Sequence, residues 1–167
     1  PIILLQGSDF EMGRQYAQQV VGIFGKWVLA RHASRAFSAA EKAELGRREA
    51  QIQQHAPEII GFCQGWAAGA TEAGVAMRYE DVLNIWTGCH PPAREYFGLT
   101  NGLPDDLYPP ACSGHAAWGR ATRDGRLVTG SSGDHDCGYM ATIVAYPETG
   151  YPFIYTPFSV TGELPKI

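Results

Sequence analysis

The chain opens on PIILLQGS, the pattern of a short apolar strand that stops at Gly7. The period then lengthens. Phe10, Met12, Tyr16, Val20, Ile23, Phe24, Trp27 and Val28 recur mostly at three- and four-residue steps, which predicts one long amphipathic helix over SDFEMGRQYAQQVVGIFGKWVLARHA. Ser8 and Glu11 suit a capping box at its start, the hydroxyl accepting from a helix-end amide and the carboxylate reaching back to the cap residue. Gly13, Gly22 and Gly25 lower its intrinsic propensity.

Ser38 and Glu41 repeat the cap signal and predict a polar helix running to about Gln53. Pro57 suits the first turn of the next helix, PEIIGFCQGWAAGA, since proline sacrifices no hydrogen bond there. The Gly and Ala content of that helix permits close approach by another element. A shorter helix is predicted at RYEDVLNIW, beyond the turn-like TEAGVAM.

Residues 90–111 sustain no period and carry Pro91, Pro92, Pro104, Pro109 and Pro110, the composition of a connector. Beyond it CSGHAAW, RLVTGSS, MATIVAYP and YPFIYTPFSV read as short strands, separated by RDGR and ETG turns. Four strands need a covered face, which the preceding helices can supply. The expectation is an α+β chain forming a single partial domain over 1–167, mainly helical over 1–89 and strand-rich over 112–167.

The length suits one domain with a real core. Apolar residues make up 45% of the chain and charged residues 18%, which excludes a disordered or coiled-coil composition and suggests surface covered by a partner. A net charge of -4 gives no electrostatic basis for general nucleic-acid binding. No apolar run approaches the roughly 20 residues that span a bilayer, so no membrane partner is expected. PIILL lacks the basic flank of a signal peptide, which favours a cytoplasmic location while leaving a processed leader open.

Cys63, Cys89, Cys112 and Cys137 form no CxxC pair. Cys63 and Cys89 are expected to be inert thiols in or near the core. Cys112, placed after PPA and at the head of a strand, is the candidate nucleophile, against the usual structural role of a lone cysteine. His115 and the run Asp134, His135, Asp136 and Cys137 carry metal-capable groups and leave a metallohydrolase open. Adjacent strand side chains point to opposite faces, which weighs against that reading, and no cofactor or metal is expected. His32, His55 and His90 are expected on helix surfaces or in the connector. Of the aromatics at Trp118, Tyr139, Tyr146, Tyr151, Phe153, Tyr155 and Phe158, most are expected in the core; Tyr139, close behind Asp134, is the candidate for a substrate pocket.

Several short words in fixed order give these residues a common setting. A glycine, a glutamate and a second glycine precede a long helix in GSDFEMGRQYA. A helix, a Gly/Ala-rich turn and an acidic-hydrophobic helix follow in HAPEIIGFCQGWAAGATEAGVAMRYEDVLNI. Then come Cys112 and Ser113, a strand, Asp124-Gly125, the strand RLVTG and Asp134. In this order the chain resembles the N-terminal nucleophile hydrolases of the acyl-CoA:6-aminopenicillanate acyltransferase type and, more distantly, the choloylglycine hydrolases. The resemblance spans nearly all of the chain but only the first part of a family precursor.

The resemblance implies a four-layer αββα sandwich and autocatalytic cleavage of a zymogen between Ala111 and Cys112. The products would be a heterodimer, or a higher oligomer of it, whose second chain comes from the same precursor. It implies an amidase or acyltransferase acting on a small-molecule amide or acyl substrate, with Cys112 as nucleophile and Asp134 orienting the freed amine. In bile-salt relatives an Arg-Asn-x-Asp pattern ends the second strand; here SSGD stands there, with Ser131 and Ser132 in place of the cation and the amide. Ser132 is a candidate substrate donor, with turn capping as its alternative. A further arrangement has cleavage after Ile167, the nucleophile on another chain and this chain as a noncatalytic subunit.

Overall fold

Strand β1, Ile2–Gly7, alternates as a one-sided strand must: Ile3 and Leu5 are fully buried, while Ile2 and Leu4 are exposed. In the computed structural model, residues 1–34, 36–87, 113–132, 139–157 and 160 are described, with the backbone alone at 113–115, 131 and 132. They form a mixed α+β fold of helices and two small open sheets. The chain divides into two compact units, Pro1–His90 with Gly138–Ile167, and Pro91–Cys137.

In the first unit β1 leads into helix α1, Asp9–Phe24, through the expected box: Ser8 Oγ accepts from the Glu11 amide, and the Glu11 carboxylate accepts from the Ser8 amide at 2.9 Å. The predicted single helix ends early. Gly25, at φ 91°, leaves helical backbone, and a separate one-turn helix α2, Trp27–Ala30, follows. Helix α3, Ala39–His55, starts on a second capping box at Ser38 and Glu41 and buries only Leu45, as its polar sequence predicts. Helix α4, Glu58–Glu72, follows Pro57 and buries Phe62, Cys63, Trp66 and Ala70. Helix α5, Tyr79–Thr87, matches the predicted short helix.

Helices α1 and α4 touch backbone to backbone. A Cβ on Gly13 would lie 2.0 Å from the Phe62 carbonyl oxygen, and one on Gly65 would lie 1.9 Å from that of Phe10. Gly69 meets the Arg14 carbonyl in the same way. Gly13 therefore weakens the helix locally but admits the neighbour that stabilises it. At the rim Arg14 and Gln18 both donate to the Glu72 carboxylate.

Strands β4, Thr142–Pro147, and β5, Phe153–Tyr155, complete the first unit. The sheet order is β1-β4-β5, with β1 and β4 parallel from Ile2 opposite Thr142 to Gly7 opposite Pro147, and β5 antiparallel to β4. Its inner face, Ile3, Leu5, Ile143 and Ala145, meets Met12, Tyr16, Val20 and Trp66 in one core. The second unit contains a separate sheet of β2, Ser113–Gly119, and β3, Gly125–Ser132. The four later strands thus fall into two sheets, and β1 lies beside β4.

Candidate functional site

The β2–β3 hairpin carries the strands on which the candidate chemistry rests. Its register runs from Ser113 opposite Ser132 to Ala117 opposite Val128, with a bulge before Gly119 pairs with Gly125. The connection is built as its residue types require. Gly119 and Gly125 adopt φ of 61° and 74°, Asp124 Oδ1 accepts from the Arg126 amide at 3.1 Å, and Thr122 Oγ1 donates to the Arg126 carbonyl at 2.9 Å. The Asp-Gly signal placed this turn correctly, and the hairpin brings the start of β2 and the end of β3 together.

Cys112 immediately precedes Ser113, and Asp134 lies two residues past Ser132 in sequence. Both lie outside the described residues, as do Cys89, His90, His135, Asp136, Cys137, Phe158 and the connector. Ser131, Ser132 and His115 are placed by backbone in their strands. Among the described residues no cluster of His, Cys, Asp and Glu is arranged to hold a metal.

Tyr139 belongs to the other unit, where its surroundings are clear. Its ring meets Trp27 edge-on at 4.9 Å between centroids and Phe24 at 5.5 Å. Its carbonyl accepts from the Val160 amide at 2.9 Å, and the Val160 carbonyl accepts from the buried Tyr16 hydroxyl at 2.7 Å. Burial holds the Tyr16 hydroxyl protonated far above its ordinary range, which suits this permanent donor role. The three rings form a partly exposed aromatic cluster, two of them, Phe24 and Trp27, from the α1–α2 break that periodicity missed. Phe153 and Tyr155 pack against the core as expected, whereas Trp118, Tyr146 and Tyr151 are exposed. Tyr146 is exposed because alternation along β4 turns it to the sheet's outer face.

Cys63 is the inert thiol that its sequence context predicts. It is fully buried, and burial, with Glu49 nearby, pushes its pKa up to about 12. The buried carboxylate of Asp81 was not singled out. It accepts from the Arg78 amide and guanidinium and, across 47 positions, from the Ser34 amide at 3.1 Å. Burial would raise its pKa, but these hydrogen bonds outweigh it and hold the carboxyl below the ordinary value. Ser34 sits at φ 58°, so Asp81 fixes a strained loop to the start of α5. Tyr79 beside it donates to Glu49 at 2.8 Å and ties α5 to α3.

No family model matches the sequence, and no match is found among curated proteins. The glycine-glutamate-glycine word near the N-terminus has a complete structural account. Gly7 turns the chain at φ 109°, Glu11 closes the cap, and Gly13 admits α4.

Proposed function

We propose that the chain is part of an N-terminal nucleophile amidohydrolase or acyltransferase whose nucleophile is Cys112. The observation that carries the reading is the hairpin register. Ser113 opposite Ser132 puts the residue after the nucleophile across from the strand end that leads to Asp134. In this proposal Asp134 forms a charge-assisted hydrogen bond that orients the freed amine of Cys112.

In the proposed maturation, Cys112 Sγ attacks the Ala111 carbonyl carbon and the Ala111–Cys112 C–N bond breaks as the nitrogen takes a proton. This frees the α-amine of Cys112 and leaves a thioester, whose C–S bond water then hydrolyses to give an Ala111 carboxylate and restore the thiol. An α-amine with a reference pKa of roughly 7.7 to 8.0 can then act as general base near neutrality. The thiolate adds to a substrate carbonyl, the ammonium returns its proton to the departing amine, and water or an acceptor amine cleaves the acyl-enzyme. Ser132 is proposed as a hydrogen-bonding residue for the substrate. Nothing in this sequence of steps needs Tyr139, whose ring is accounted for by packing in its own unit.

The first sheet supports the four-layer part of the reading. Helix α1 covers one face, while the other presents Ile2, Leu4, Tyr146 and Ile154 to solvent, Ile2 and Ile154 each at 68% exposure. An apolar outer face is what a sheet has when a second β-layer belongs against it. The experiment is a panel of N-acyl amides assayed with wild type, Cys112→Ala and Asp134→Asn. Loss of turnover in Cys112→Ala and a fall of at least tenfold in Asp134→Asn are expected; full turnover in Cys112→Ala refutes the nucleophile.

A further inference from the structure

Among the described residues β1 is an edge strand, and its outer edge is met by two side chains. The Pro1 and Gly7 carbonyls accept from Thr142 and Glu148, so odd-numbered residues bond toward β4 and even-numbered ones face outward. Leu4 and Gln6 are each met by a glutamine of α1. The Leu4 amide donates to Gln19 Oε1 at 3.0 Å, and Gln19 Nε2 donates to the Leu4 carbonyl at 2.7 Å. The Gln6 amide and carbonyl make the same pair of bonds with Gln15, both at 2.9 Å.

A primary carboxamide offers a donor and an acceptor side by side, as a peptide group does. Residues four apart on a helix are separated by about 6 Å of rise, and residues two apart on a strand by about 6.7 Å. A glutamine pair at that helical spacing therefore matches successive outward-facing residues of a strand. We propose that Gln15 and Gln19 act as a surrogate strand, closing the β1 edge against pairing with β1 of a second copy of this chain. The second copy is the partner to guard against because the six residues IILLQG carry no charge and no proline, and Ile2 and Leu4 expose apolar side chains. Such a segment is prone to pair with itself once its edge is free.

Residue-resolved hydrogen exchange on wild type and on Gln15→Leu/Gln19→Leu, with mass measured by light scattering across a concentration series, tests this. Leucine keeps the helix propensity and removes the hydrogen bonds. In wild type the Leu4 and Gln6 amides are expected to be as protected as Ile3 and Leu5, and the mass independent of concentration. In the double variant the two amides exchange at least tenfold faster when dilute, and the mass doubles as concentration rises. Should the double variant not fold, Gln19→Met and Gln15→Met read the same two quantities with one edge residue released in each. Fast exchange at Leu4 and Gln6 in wild type overturns the proposal, as does a folded variant with wild-type exchange. Faster exchange without concentration-dependent dimerisation also overturns it, leaving the glutamines as ordinary hydrogen-bonding groups.

Discussion

Asp81 shows how much one buried carboxylate can hold in place. It satisfies the first turn of α5 and the amide of Ser34, so Asp81→Asn is expected to lower stability at neutral pH by about 2 kcal/mol, the scale of lost hydrogen bonds to a charged group. Its folded pKa lies below the unfolded value, so the contribution is complete above the unfolded pKa and is lost as pH falls through the folded one. Urea unfolding of wild type and variant should therefore show a gap that narrows from about pH 4 downward. A gap that is constant with pH would assign the loss to packing. The buried Cys63 thiol gives a second expectation: native protein should leave Cys63 unlabelled by iodoacetamide under conditions that label it after denaturation.

Among the elements, the α1–α4 contact makes the sharpest demand on sequence. Gly65→Ala should cost about 3 kcal/mol, since overpacking must shift one backbone against another. Gly22→Ala, on the same α1 but with nothing within 4 Å of the added carbon, should gain about 0.5 to 1 kcal/mol from helix propensity. Thermal unfolding separates the two, and equal losses would contradict the contact. Much of this level was legible in the sequence because it is local. The two capping boxes, the Pro57 start and the Asp-Gly turn are all set by residues within a few positions of each other. The break at Gly25 was missed because apolar spacing carried on through Trp27 and Val28 while the backbone turned. The glutamine clamp was missed because its partners, Leu4 and Gln6, lie 15 and 9 positions away and meet Gln19 and Gln15 only once β1 lies beside α1.

At the scale of the whole molecule, the parallel β1–β4 pairing joins residues near the N-terminus to residues beyond position 140, which no local pattern announces. The α+β class follows from the separate helical and strand periods, whereas the division into two sheets does not. For the candidate site, the antiparallel return of β3 to the start of β2 was readable from the turn, while the roles of Cys112 and Asp134 rest on the order of short words. The proposed chemistry has a direct consequence for the covalent chain. Intact mass combined with N-terminal sequencing of the active protein should find a chain that begins at Cys112, and Cys112→Ala should remain uncut at that bond. An active protein in which Ala111 and Cys112 stay joined would contradict the account.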